Sequence, residues 1–201
     1  YLNDKKTGEW KYYYKTGQLW RQGNYDKDVK TGTWTTWFEN GKKLQEGNYV
    51  NGKEDGLWYS WWDNGNKKDE GYFAAGLIVG NWQGWYANTK LNYSGKYNDK
   101  GKKNGTWNYW YENGSPREQC KYVNGIKHGS YTQWFEKGGF VDTQGKYKKG
   151  HQNGEWKYFY ETGGINKIQS FEFIFQMIGS QQFYSLFTDF FSFILNFGRQ
   201  K

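Results

Sequence analysis

Two histidines, one cysteine and a scatter of carboxylates are the residues of this chain that could make or break bonds. His128 and His151 stand 23 residues apart between repeated motifs, and neither has a partner at metal-ligand spacing. No Ser-His-Asp order, nucleophile elbow or phosphate loop is present. Glu39, Asp63, Glu112 and Glu161 each lie beside a turn signal and read as solvated turn residues, not as an acid–base pair. Cys120 occupies the place held elsewhere by Gly23, Gly47, Gly71, Gly95 and Gly145, which marks a small-residue replacement. A lone cysteine also allows no intrachain disulfide, which fits a reducing, cytoplasmic compartment. The expectation is a protein that is not an enzyme and carries no cofactor or metal.

Stacking is the chemistry the composition does favour. Aromatic residues make up 23% of the chain, with 13 tryptophans and 19 tyrosines, whereas aliphatic residues are scarce. Rings recur as Gly-x-Trp-x-x-Arom-Arom, at Gly8/Trp10, Gly32/Trp34, Gly56/Trp58, Gly80/Trp82, Gly105/Trp107, Gly129/Tyr131 and Gly154/Trp156. The steps are 24 or 25 residues, a period that signals a repeat architecture. With strand alternation, two rows follow. Trp10, Trp34, Trp58, Trp82, Trp107, Tyr131 and Trp156, each with the ring four residues on, point one way. Tyr13, Trp37, Trp61, Trp85, Trp110, Trp134 and Phe159 point the other. One core needs only one aromatic face. The second row is therefore structural too, if the array coils enough to bury each side or pairs with another copy; or it is the candidate groove for a protein partner; or it stacks ligand rings.

The elements that position these rows are short strands. Each repeat offers a first strand, a turn such as Glu39-Asn40-Gly41 or Glu112-Asn113-Gly114, a second strand through Gly-x-Tyr, and a second glycine-marked turn such as Val50-Asn51-Gly52-Lys53. In the first turn Asn-Gly is expected to supply the positive φ angles of a tight hairpin. Thr89 replaces that glycine in the fourth repeat, so its hairpin should be looser or of another type. Three rings cannot offset the ordering entropy of some two dozen residues at roughly 1–2 kcal/mol each, so neighbouring hairpins must share their aromatic layers.

The net charge is +8, lysine far outnumbers arginine, and acidic residues are interspersed. This describes a solvated sheet surface that allows weak contact with an anionic membrane; the shortage of arginine argues against specific nucleic-acid recognition. Tyr1 falls partway through a repeat, which reads as an N-terminally truncated array. After Gly164 the pattern fails. Gln169 sits where the next Gly-x-Tyr should begin, and residues 165–201 form a phenylalanine-rich tail. That tail is expected to be a helical cap on the last strand, a membrane-associated segment, or non-native sequence; Glu172, Gln176, Gln181, Gln182 and Asp189 break any clean membrane span.

The pattern Gly-x-Trp-x-x-Arom-Arom-x-x-Gly followed by Gly-x-Tyr resembles the MORN-repeat variant, which also occurs in bacterial antitoxin-like proteins. Gly32-Thr33-Trp34-Thr35-Thr36-Trp37-Phe38-Glu39-Asn40-Gly41, continuing to Gly56, is the best copy. The resemblance covers residues 1–163 and implies consecutive antiparallel hairpins with a scaffolding or adaptor role, including inhibition of a toxic enzyme. Aromatic cell-wall-binding repeats, which take choline or glucans, share Gly-x-Trp-Tyr-Tyr but have a shorter period. The expected fold is all-β: about seven antiparallel hairpins over residues 1–164 forming one elongated, twisted sheet, followed by the tail.

Overall fold

The computed structural model describes residues 5–172. They form fourteen strands: β1 Gly8–Tyr13, β2 Leu19–Asp26, β3 Val29–Trp37, β4 Lys43–Val50, β5 Lys53–Trp61, β6 Lys67–Ala74 and β7 Leu77–Trp85 make the first half. β8 Leu91–Tyr97, β9 Lys103–Trp110, β10 Pro116–Val123, β11 Ile126–Trp134, β12 Val141–Lys148, β13 His151–Phe159 and β14 Ile165–Phe171 make the second. All belong to one antiparallel sheet in which spatial order equals chain order. No helix occurs among the described residues. The array runs past Gly164, since β14 pairs with β13 through Gly154↔Phe171 and Trp156↔Gln169. Gln169 takes the place of the repeat glycine and Phe171 that of the tyrosine, which is why the sequence pattern fades there while the strand continues. The tail expected over residues 165–201 as a cap helix or membrane segment thus begins as a strand of the array, and its remainder, 173–201, lies outside the described residues.

Register explains the two kinds of turn. Between repeats, Val50 pairs with Lys53, and the two loop residues Asn51 and Gly52 have φ of 49° and 76°, the conformation of a two-residue primed turn. Within a repeat the loop is longer. Gly41 N donates to Phe38 O at 2.9 Å and Phe38 N to Lys42 O at 2.8 Å. Only Gly41, at φ 83°, is left-handed, so this is a three-residue loop closed by a glycine bulge. The expected double positive-φ Asn-Gly pair thus belongs to the turns between repeats, and Asn40 works through its side chain instead. Asn40 Oδ1 accepts from Lys42 N at 3.0 Å, while Asn40 Nδ2 donates to Asp63 O in the next hairpin at 2.9 Å. Asn64, Asn88 and Asn113 repeat that second bond to Ala87 O, Glu112 O and Glu136 O. A run of amides therefore ties successive hairpin tips together.

The hairpin at Thr89 is not of a different type. Thr89 N donates to Tyr86 O at 3.0 Å and Tyr86 N to Lys90 O at 2.8 Å, the same pattern as at Gly41. Thr89 instead adopts φ 71°, which is strained for a β-branched residue. Thr89→Gly is expected to raise stability by about 1 kcal/mol. Equilibrium urea unfolding of the two forms, with an unchanged m-value, checks this.

A single sheet has no second layer to cover its rings, and three devices replace it. First, each indole lies flat over the glycine of the preceding strand: Trp34 on Gly23, Trp58 on Gly47, Trp82 on Gly71, Trp107 on Gly95 and Trp156 on Gly145. Second, the Gly-x-Tyr rings stand edge-on between indoles, as Tyr25 does at 5.0 Å from Trp34 and Tyr97 at 4.9 Å from Trp107. Such pairs contribute about 0.5–1.5 kcal/mol each beyond their burial. Third, lysines lie over the rings: Lys30 Nζ is 4.6 Å from the Trp34 centroid and 4.5 Å from that of Tyr49, and Lys103 Nζ is 4.3 Å from that of Trp107. Trp107 and Trp156 are each left 1% exposed. The shared aromatic layer expected from the energetics is this row.

Candidate functional site

The two aromatic rows lie on opposite faces and differ in how their polar atoms are used. On the face just described, the indoles of β3, β5, β7, β9 and β13 spend their N–H groups within the chain. Trp34, Trp58, Trp107 and Trp156 donate Nε1–H to Asn24 O, Asn48 O, Lys96 O and Lys146 O at 3.1–3.2 Å. Trp82 donates to Tyr72 O and Val79 O, each at 3.2 Å. The next rings along do likewise: Tyr14, Trp62, Tyr86 and Tyr111 donate to the carbonyls of Trp37, Trp85, Trp110 and Trp134 at 2.7–2.9 Å. This face is committed to folding.

Trp37, Trp61, Trp85, Trp110 and Trp134 stand on the other face, half-buried, one on every second strand. Their indole N–H groups donate to no described residue, and none is sealed from solvent. At the ends of the row, Tyr13 is 57% exposed and Phe159 is half-buried. The rings do not touch one another, because a residue of the intervening strand separates each pair. Lys43 and Lys67 fill that place in the first half: Lys43 Nζ lies 5.6 Å from the Trp61 centroid and Lys67 Nζ 5.4 Å from that of Trp85. Leu91, Pro116 and Val141 fill it in the second half, paired with Trp85, Trp110 and Trp134. The candidate groove therefore changes character midway, from ring and ammonium to ring and hydrocarbon.

Beside the rings runs a polar row that sequence reading did not single out. Cross-strand pairing places Gln22, Thr35, Glu46, Tyr59 and Glu70 side by side, then Gln83, Ser94, Asn108, Gln119 and Thr132. Burial alone would raise the Glu46 and Glu70 carboxyls. The hydrogen bonds from Lys43 and Thr35 to Glu46, and from Lys67 and Gln83 to Glu70, outweigh it and hold both below the usual carboxylate range. From Gln83 to Thr132 the row is uncharged. A cleft of about 750 Å³ opens along it, lined by Tyr59, Glu70, Gln83, Ser94 and Lys96 among others, and one of about 250 Å³ lies against Trp110, Pro116, Gln119 and Trp134.

His128 and His151 lie exposed on separate strands, and no group of three or more His, Cys, Asp or Glu side chains among the described residues is placed to hold a metal. Cys120 is 0% exposed, and burial pushes its thiol up to about 11, so its chemistry is packing. The small-residue reading of Cys120 has a partner that sequence alone did not connect: the ring paired with it is Tyr131, the one phenol in a row of indoles. The smaller ring leaves room for the sulfur. Glu39, Asp63, Glu112 and Glu161 sit exposed at hairpin tips.

With hairpins, glycine-backed indoles and both turn types in place, the family comparison is decisive. The MORN repeat variant model matches residues 6–27, 30–51, 54–75, 103–124 and 152–172, more than half of the chain. The chain belongs to the MORN repeat variant family. Two stretches between these MORN matches, 76–102 and 125–151, hold the departures: Thr89, the five-residue loop from Asn98 to Lys102 between paired Tyr97 and Lys103, Tyr131, and the inserted glycine of Gly138-Gly139. Both nevertheless form the same pair of strands as the matched MORN units. The match assigns the repeat and brings no antitoxin function with it. No curated protein matches the chain.

Proposed function

We propose that this MORN array is a non-catalytic scaffold that holds a protein partner on the face carrying Trp37, Trp61, Trp85, Trp110 and Trp134. MORN repeats as a class support a binding or scaffold role. The observation that carries the reading is the contrast between faces: on one, Trp34, Trp58, Trp82, Trp107 and Trp156 spend their N–H groups inside the fold, whereas the other leaves five donors unspent on half-buried rings. Indole rings with free donors are what protein interfaces use as anchors. Choline, the alternative suggested by aromatic cell-wall repeats, is a poor match, because a residue of the intervening strand separates each pair of rings and the row forms no aromatic cage.

The test is affinity capture with the full chain and with a variant carrying alanine at Trp85, Trp110 and Trp134. The variant should keep its sheet signal by circular dichroism and lose the captured protein. An unchanged set of captured proteins would remove this face from the function.

A further inference from the structure

Within the face just assigned, the strands from β7 to β13 carry a pattern specific enough to name the shape and charge of what lies on them. We propose that they bind a proline-rich, acidic polypeptide segment in the polyproline II conformation. The segment runs across the strands, with prolines stacked on Trp85, Trp110 and Trp134 and carboxylates turned toward Lys96, Lys121 and Lys146. The inference rests on the proposed function and narrows it to a partner chemistry.

Period comes first. Trp85, Trp110 and Trp134 occupy alternate strands β7, β9 and β11. At about 4.8 Å per strand this places one ring roughly every 9.6 Å. A polyproline II helix has three residues per turn at about 3.1 Å each, so one of its ridges returns every ~9.3 Å. An extended β-strand brings side chains back to one face every ~6.6 Å and falls out of step after one ring.

Donors come second. A polyproline II segment has no internal hydrogen bonds, so its carbonyls need outside donors. The unpaired indole N–H groups of Trp85, Trp110 and Trp134 supply them along one line; in the adjacent row Gln83 and Gln119 spend one amide hydrogen each, on Glu70 and on Asn108 Oδ1, and keep the second. An α-helix of the same length has its interior carbonyls already satisfied and gains nothing from such a line.

The third observation is charge. Lys96, Lys121 and Lys146 stand on β8, β10 and β12, on this same face, one row beyond the uncharged Gln83–Thr132 row. All three are exposed and lie outside every ion pair of the described residues. They recur at the spacing of the tryptophans, so a three-residue ligand period serves both lines at once. In the first half of the sheet the corresponding positions are Asn24, Asn48 and Tyr72, and Lys43 and Lys67 fill the gaps between rings. The binding segment is therefore the second half, where Leu91, Pro116 and Val141 leave apolar gaps that accept proline rings.

The experiment titrates the full chain with labelled (Pro-Pro-Glu)4 at low salt, following fluorescence anisotropy. Comparison ligands are a peptide of the same composition with its four glutamates consecutive, (Pro-Pro-Lys)4, and an anionic oligosaccharide of equal charge. Saturable binding of (Pro-Pro-Glu)4 is expected, at least about tenfold tighter than either comparison peptide. Trp110→Ala should weaken it about tenfold, Lys121→Gln about threefold, and Lys15→Gln, at an exposed hairpin tip away from this row, not at all. Trp110→Phe keeps the ring and removes only the donor, so it separates binding from folding and should still weaken affinity several-fold. Absence of saturable binding, equal binding of the out-of-period peptide, or indifference to both Trp110 variants would overturn the proposal. Equal binding of the oligosaccharide would overturn the polypeptide class. If these fail while the captured partner still depends on Trp85, Trp110 and Trp134, the scaffold reading stands and only the conformation assigned to its ligand is wrong.

Discussion

Gly47→Ala is expected to lower stability by about 3 kcal/mol, a large loss for adding one methyl group. A Cβ built on Gly47 would fall inside the van der Waals envelope of the Trp58 indole, against Cδ2 and Cε2. Trp58 cannot retreat. Its Nε1 is held to Asn48 O at 3.2 Å, and its ring is wedged between Tyr49 at 5.3 Å and Phe73 at 5.5 Å. The natural exception at Cys120 and Tyr131 shows how the clash is relieved. Gly47→Cys alone should be as harmful as alanine, but combined with Trp58→Tyr it should recover at least about 1 kcal/mol relative to the sum of the single changes. Chemical denaturation of the four proteins of this cycle measures the coupling. Additive effects would mean that ring size does not govern the site.

Raising the pH should unfold the array in one cooperative step between pH 10 and 12. Burial pushes Tyr25 and Tyr49 up to about 12, with the neighbouring Tyr12 hydroxyl and the Glu54 carboxylate adding to it respectively. Tyr93, Tyr122 and Tyr131 are raised further, again chiefly by burial; at Tyr93 a 2.6 Å hydrogen bond to Asp69 Oδ1 reinforces it. A group whose folded value lies above its unfolded one holds its proton more tightly in the folded state. The stabilisation is therefore complete below the ordinary phenol value of 10 and is lost as pH climbs through the folded values near 12. Phenolate absorbance and loss of the β-sheet signal should appear together. Tyrosines that titrate near pH 10 with the sheet intact would contradict the shared aromatic layer.

Periodicity made most of the fold legible. The Gly-x-Trp steps gave the hairpin count, and alternation within Gly105-Thr106-Trp107-Asn108-Tyr109-Trp110 separated the two faces. Turn chemistry was legible only in part. Asn-Gly occurs at both kinds of turn, and loop length, which decides whether asparagine is left-handed, depends on register that composition does not carry. Thr89 shows the limit from the other side: amides and carbonyls of the flanking strands impose the turn even where the residue resists it. Lys30, Lys103 and Lys127 look like solvated surface by composition, yet they close the aromatic layer, Lys127 with its Nζ 4.7 Å from the Tyr131 centroid, because a long side chain can be charged at its tip and apolar along its stem. In the candidate site the ring row was visible in sequence. What was not visible was that its indole donors are unspent, since this depends on which carbonyls the other row has already taken.

The amide run from Asn40 to Asn113 reaches only from one hairpin tip to the next, about 23 residues along the chain, and the ring-over-glycine packing reaches only one strand back. Nothing in the interior of the array refers to its total length. Excising or duplicating a whole unit would leave each surviving junction with the same kind of neighbour on either side, so genetic recombination between units can lengthen or shorten the molecule stepwise without redesign. Reach would then be the quantity selection adjusts most readily, and the number of tryptophans on the outward face would change in proportion.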